Sequence, residues 1–243
     1  MYSQPQFLPA GDLAVSVEFG DEISLEVNTQ VRALEYLIQQ RRIPGVQEMV
    51  PSFRALLVYY DPLVIKWDDL IARLSELLPQ VSSAILPPSR LIEIPCCYGG
   101  ELGVELAEAS ERVGLPPGEV IRLHSDAEYL VYFVGFTPGM PYMRSTSDRL
   151  TIPRLNTPRL KTPPGGVGIG GSQTCIYPVE SPGGFWILGR TPLRLYDPSE
   201  PDPILLRAGD RVRFRPIDRD EFDALAEAVA ARKFRMKVEG GSR

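Results

Sequence analysis

The sequence predicts an α+β fold in two parts: a ferredoxin-like domain over residues 1–90 and a β-barrel domain with flanking helices over 91–243. Three observations carry this. The apolar period of residues 13–94 switches between two and about 3.6 in the order β-α-β-β-α-β, the split βαβ pattern. From Gly135 to Leu193 almost every short apolar run is bounded by Gly or Pro, which suits many short strands in a barrel or sandwich. Between the two regions Pro87-Pro88 breaks the chain.

Leu13, Val15, Val17 and Phe19 alternate with Ala14, Ser16 and Glu18, the period of a half-buried strand. Val27, Val31, Leu34 and Ile38 then fall on one helical stripe over 24–41, which Pro44-Gly45 ends. Val46–Val50 and Ala55–Tyr60 read as strands, joined through Pro51-Ser52. Asp68 reads as the N-cap of a helix carrying Leu70, Leu74 and Leu77 on one side. Leu91–Ile94 completes the pattern as a short strand. In the second part, Gly103–Val113 and Pro116–Leu123 read as helices and Tyr129–Val134 as a buried strand. The short runs Leu150–Ile152, Val167–Ile169, Cys175–Tyr177, Phe185–Leu188, Leu193–Tyr196 and Val212–Phe214 follow. Glu221–Phe234 is a last amphipathic helix, and the tail after it reads as frayed.

Composition excludes several classes. Hydrophobic residues make up 44% and charged residues 23%, enough to fill a core. No apolar run approaches the ~18 residues of a membrane span, and the first residues resemble no secretory signal. A net charge of −5 argues against general nucleic-acid binding. Three cysteines, two of them the neighbours Cys96 and Cys97, make a disulfide framework unexpected and a reducing cytoplasm the expected location. A single histidine, His124, excludes multi-His metal sites, so no metal is expected.

Two loops stand out. Gly135–Met143 (GFTPGMPYM) leaves a buried strand and is rich in Gly and Pro; it reads equally as a ligand-approach loop or a barrel-closing turn. Gly165–Thr174 contains a formal G-x-G-x-x-G, but a strand follows it where the dinucleotide motif needs a helix. A Gly-rich segment still offers backbone N–H groups to an anion. Between Gly135 and Arg194 stand Arg144, Arg149, Arg154, Arg159, Lys161, Arg190 and Arg194 against only Asp148 and Glu180. Such a basic island suits a carboxylate or phosphate ligand, or else a solvated face or subunit interface. His124 reads as a general acid/base or as a capping histidine.

With those residues in place the chain resembles the KipI/PxpB family, whose members are also labelled allophanate hydrolase subunit 1-like or the B component of 5-oxoprolinase. The resemblance rests on GDLAVSVEFG, Pro51–Pro62, IPCCYGGELG, RLHS, GFTPGMPYM, Pro153-Arg154, Pro158-Arg159, PPGGVGIGGSQTCIYP, SPGGFWILGRTP and AGDRVRF. It implies a ferredoxin-like domain followed by a cyclophilin-like β-barrel. It also implies a direct PxpC/KipA-like partner, a PxpA-like subunit and an ATP-dependent 5-oxoprolinase that opens 5-oxoproline to glutamate. ATP would enter at the level of the complex, and this chain would be inactive alone. The family offers two other roles: inhibitor of a sporulation-type histidine kinase, and carboxyltransferase-type subunit of urea carboxylase. This chain has Met140 where the family has an aromatic, Glu105 where it has Asp, Cys175 where it has Gly, and Gly166 where it has Ser or Ala.

The expected pocket lies on the barrel, between Gly135–Tyr142 and Gly165–Gln173. His124, Gln173 and Arg190 are its expected catalytic residues. Phe136, Pro138, Gly139, Tyr142, Arg154, Arg159, Gly170 and Gly171 are expected to bind the substrate or an anion, with Phe136, Met140 and Pro141 as the apolar wall.

Overall fold

The computed structural model of the 243-residue chain describes residues 1–145 and 150–240, with the side chain of Ser145 left aside. It divides into two compact units, Met1–Pro87 and Pro88–Arg243.

The first unit holds one antiparallel sheet of β1 (Gln6–Pro9), β2 (Ala14–Glu18), β3 (Val46–Pro51) and β4 (Ala55–Tyr60), in the order β1-β2-β4-β3. Helices α1 (Leu25–Arg41) and α2 (Trp67–Val81) complete it. Val15 and Val17 of β2 meet Val31, Leu34 and Ile38 of α1 and Leu70, Leu74 and Leu77 of α2 in a fully buried core. The helical stripe therefore marks the face that is buried. Ser24 caps α1 by accepting from the Val27 N–H at 3.1 Å, and Arg42 ends it in the left-handed region at φ 48°. Helix α2 begins two residues earlier than an Asp68 cap implies, at Trp67 with Lys66 as its N-cap. Asp68 and Asp69 therefore lie in its first turn, where their charge favours the helix dipole.

One expected strand goes elsewhere. Leu91–Ile94 belongs to β5 (Leu91–Tyr98), which pairs inside the second unit. Its place at the first sheet's edge is taken by β1, which pairs antiparallel with β2 from Gln6↔Glu18 to Pro9↔Val15. The reason is burial. Ile92, Ile94 and Cys96 all point one way along β5 and are 0% exposed in the barrel core, a long apolar face that an edge strand does not need.

The second unit is a closed barrel. Its strands are β5, β6 (Glu128–Val134), β7 (Pro141–Ser145), β9 (Gly166–Gly170), β10 (Gln173–Ile176), β12 (Trp186–Arg190) and β13 (Arg211–Ile217). They run β12-β9-β10-β7-β6-β13-β5, and β12 pairs with β5 to close the ring. The β13–β5 pair is parallel from Arg211↔Leu91 to Ile217↔Cys97, and the other ring pairs are antiparallel. A separate two-stranded ribbon pairs β8 (Arg159–Thr162) with β11 (Ser181–Gly183). Helices α3 (Leu106–Val113), α4 (Pro117–Asp126) and α5 (Arg219–Ala230) flank the barrel. The last helix is capped by Asp218 and stops short of Phe234, and the tail adds β14 (Val238–Glu239) beside β5. Leu193–Tyr196 forms no strand, only a bridge from Tyr196 to Ile204.

Arg90 clamps the barrel's entry strand. It donates Nε–H to Asp210 Oδ1 at 2.8 Å and Nη2–H to Asp210 Oδ2, and the same carboxylate accepts from the Arg207 N–H at 2.7 Å. Asp210 is buried, so removing its cation leaves a charge unpaired. Arg90→Ala is expected to cost about 2–4 kcal/mol. Urea denaturation followed by circular dichroism checks this, and a loss under about 1 kcal/mol would make the pair incidental.

Candidate functional site

Strand register sorts the expected site residues onto two opposite rims of the barrel. Strand β7 leaves the Gly135–Met140 turn at Pro141 and runs beside β10, with Cys175 opposite Tyr142 and Thr174 opposite Met143. The β9–β10 hairpin turns at Gly171-Ser172, beyond the Gln173↔Gly170 pair, and so lies at the far end. Strands of this length separate their ends by roughly 13 Å. The Gly135–Tyr142 loop and the Gly170–Gln173 turn therefore do not wall one pocket.

The first rim carries Gly165, Gly166 and Arg190, which pairs across to Gly166. Arg190 gives its Nε–H to the Pro164 carbonyl at 2.7 Å, and partial burial lowers its guanidinium pKa. The turn on this rim is rigid: Gly135 N–H reaches the Met140 carbonyl at 3.0 Å and Met140 N–H the Thr137 carbonyl at 3.1 Å. Gly139 adopts φ 80°, and a Cβ there would stand 3.0 Å from the Leu195 carbonyl oxygen, so the turn favours glycine on both counts. Pro138 is exposed, and Phe136 is 64% exposed at φ 67°, a strained backbone for an aromatic residue. Met140 is buried, so it forms no pocket wall.

His124 reaches neither rim. It is 0% exposed and packs on Phe214 at 4.5 Å between ring centroids. Its Nδ1 lies 2.7 Å from the Tyr98 hydroxyl and its Nε2 3.0 Å from Thr174 Oγ1. Thr174 Oγ1 donates to the Gly168 carbonyl, so it accepts from His124 Nε2–H, and Nδ1 accepts from Tyr98. Burial pushes the imidazole pKa down to about 3. A neutral ring with both nitrogens engaged is a core linker, which corrects the acid/base expectation.

Arg159 is corrected too. It pairs with Glu105 and donates to the carbonyls of Gly183 and Phe185. Glu105 also accepts the Ile187 N–H. The pair pins the segment between β11 and β12 and commits both terminal nitrogens of Arg159 to the protein, while its Nε is buried without a hydrogen-bond partner. Lys161 pairs with Glu180 and Arg194 with Asp197. Arg149 and Asp148 lie outside the described residues.

The second rim gathers what remains. Arg154 gives Nη2–H to Gln173 Oε1 at 3.0 Å and lies over the Phe185 ring, 4.4 Å from its centroid. Among the described residues no carboxylate pairs with it. The glycines beneath are filled rather than open. A Cβ on Gly170 would stand 2.9 Å from Arg154 Cγ, and one on Gly168 would stand 3.0 Å from Phe185 Cβ. The Gly-rich strand thus lets an aromatic–guanidinium layer lie flat on the barrel, rather than cradling an anion with its backbone. Gly171 supplies the hairpin's left-handed turn at φ 61°. Tyr142 and Cys175 share this outer face: Tyr142 stacks on Phe133 at 4.5 Å, and burial raises both the phenol and the thiol.

Beside Arg154 a cleft of about 320 Å³ opens between α3 and the Thr151–Asn156 segment. Its lining includes Glu108, Arg112, Thr151, Asn156 and Trp186. Trp186 is fixed by its Nε1–H to the Pro153 carbonyl at 2.8 Å, and Arg112 lies over its ring at 4.9 Å while bonding Glu108 Oε1 at 3.0 Å. Arg112 and Trp186 are the functional candidates that sequence reasoning misses. The available signal is Trp186 itself, a large aromatic close to two glycines in a basic region. The three cysteines are free and buried. Among the described residues no group of three or more His, Cys, Asp or Glu gathers as a metal site. No helix there is long and apolar enough to cross a membrane.

Comparison with known proteins yields consistent matches. Residues 5–206 match the family model described as carboxyltransferase domain, subdomain C and D. The B component of 5-oxoprolinase from Bacillus subtilis (strain 168) is 39% identical over 227 residues, covering 89% of this chain and 95% of the relative. The crystal structure of TTHA0988 superposes with a TM-score of 0.75 at 36% identity, covering 84% of this chain and 40% of that one. The Kluyveromyces lactis urea amidolyase shares the fold with a TM-score of 0.81 at 23% identity, covering 97% of this chain and 16% of that one. The chain therefore spans about two fifths of the first solved relative and a smaller part of the second.

Proposed function

The chain belongs to the KipI/PxpB family of carboxyltransferase-domain proteins, and from that premise we propose that it is the PxpB component of an ATP-dependent 5-oxoprolinase. The observation that carries this reading is the 39% identity to the B component of a bacterial 5-oxoprolinase across 95% of that protein. The second rim supports it, because Arg154 offers a fixed cation without a carboxylate partner among the described residues to a carboxylate substrate. The chain works with PxpA-like and PxpC-like subunits in the cytoplasm, and it is inactive alone. Its first unit is a ferredoxin-like domain in which β1 replaces the fourth strand at the sheet's edge, and its barrel is of the cyclophilin-like kind.

Opening a lactam is uphill unless coupled, and phosphorylation of the amide oxygen by ATP supplies the coupling. The nucleotide enters at the level of the complex. The Gly166–Gly171 segment of this chain leads into a hairpin rather than a helix N-terminus, so it lacks the phosphate-binding geometry of a dinucleotide loop. The test is reconstitution with the two partner subunits, following glutamate and ADP. Activity that requires this chain is the expected result; full activity in its absence would remove it from the enzyme.

A further inference from the structure

We propose that the cleft between α3 and the Thr151–Asn156 segment is a monocarboxylate site, and that it takes the lactam acid of the reaction rather than the nucleotide. This rests on the 5-oxoprolinase reading for the ligand's identity, but on the cleft's own chemistry for the ligand's class.

The first argument is charge. The charged side chains lining the cleft are Arg112, Arg154 and Glu108. Glu108 is tied to Arg112 at 3.0 Å, so that pair is neutral within itself. Arg154 supplies the remaining positive charge. A surplus of one cation suits a monoanion. A di- or triphosphate would bring several negative charges against one unneutralised cation and the Glu108 carboxylate.

The second argument is orientation. A guanidinium recognises a carboxylate well when its plane is fixed beforehand. Arg154 is fixed twice, by Gln173 Oε1 and by the Phe185 face, and its stem lies against the Gly170 backbone. Only a residue without a β-carbon leaves room for that stem. The third argument is the remaining lining. Asn156 brings an amide, donor and acceptor together, which suits a ligand with a ring amide besides its carboxylate. Trp186, 3% exposed with Arg112 over its ring, backs the cleft and is held by its bond to Pro153. About 320 Å³ lies at the small end of ligand-pocket sizes, which suits a single small ring.

Arg154→Ala and the packing-conserving Arg154→Lys are to be measured in the reconstituted complex, with melting curves confirming that both fold. KM for 5-oxoproline is expected to rise about ten- to a hundredfold in Arg154→Ala and less in Arg154→Lys. KM for ATP should stay within about twofold. An unchanged KM for 5-oxoproline, or an equal rise for ATP, overturns the site while leaving the enzyme reading intact. In parallel, the wild-type chain and Arg154→Ala are titrated with 5-oxoproline and with inorganic pyrophosphate, following Trp fluorescence. Saturable, Arg154-dependent binding of the lactam acid but not of pyrophosphate supports the site even if the complex turns over no 5-oxoproline. Preference for pyrophosphate overturns it.

Discussion

Between pH 7 and pH 5 the protein is expected to lose about 2 kcal/mol of stability through His124 alone. The imidazole is neutral and wholly enclosed, and burial lowers its pKa to about 3 against an ordinary value of 6.5. In the unfolded chain the ring takes up a proton as pH falls through about 6.5, while the folded chain refuses it until about pH 3. Protons therefore favour the unfolded state across that window. The stabilisation is complete above the unfolded pKa and drains away below it. The physical cost is that of charging a ring whose neighbours are Phe214, Tyr129, Tyr98 and Thr174. Its Nδ1, already accepting from Tyr98, meets no carboxylate among the described residues. Carboxylates elsewhere also titrate in acid, so the measurement is a difference. Stability of wild type and His124→Gln is followed by urea denaturation from pH 7.5 to 4.5. The wild-type advantage should shrink by about 2 kcal/mol at pH 5; a gap that does not change with pH would mean the histidine ionises in the fold.

That buried histidine shows what a sequence hides. Alternation in Leu13–Phe19 and the stripe from Val27 to Ile38 are local signals, and both elements form where the pattern puts them. Partner choice is not local. Leu91–Ile94 reads as a strand either way, and only its distant partners, β13 and β14, decide which sheet receives it. Gln6–Pro9 has no alternation to declare it, since its burial is slight and it is held by backbone bonding to β2. The site follows the same rule. Pro153-Arg154 and Pro158-Arg159 are the same dipeptide in sequence, yet Glu105, 54 residues from Arg159, claims one guanidinium and leaves the other to the cleft. The glycines are legible as places of close approach. What approaches is a side chain of the protein itself, Phe185 or the stem of Arg154. Arg112 on Trp186 joins a helix to a strand far along the chain, and no spacing announces it.

Gly189→Ala is expected to cost about 3 kcal/mol or more and to loosen the cleft as it does so. The ring of strands closes only where β12 meets β5, through Gly189↔Tyr98 and Arg190↔Cys97, with Gly99 N–H adding a bond to the Leu188 carbonyl at 2.9 Å. A Cβ on Gly189 would stand 2.6 Å from the Cys97 carbonyl oxygen, 2.8 Å from Cys96 Sγ and 3.1 Å from Tyr98 Cα. Two of these are backbone atoms of the facing strand and the third belongs to a wholly buried side chain, so no flexible group can yield. The strands must part, and the shift runs along β12 to Trp186, whose ring walls the cleft. A neutral comparison is at hand in Gly118, the second residue of α4, where an added methyl meets nothing within 4 Å. Gly118→Ala should be neutral or stabilising by up to about 1 kcal/mol, through helix propensity. Guanidinium denaturation of both variants, with Trp fluorescence as the probe, separates the two cases. If Gly189→Ala unfolds within about 1 kcal/mol of the wild type, the seam tolerates a methyl group and the closure is looser than these distances require.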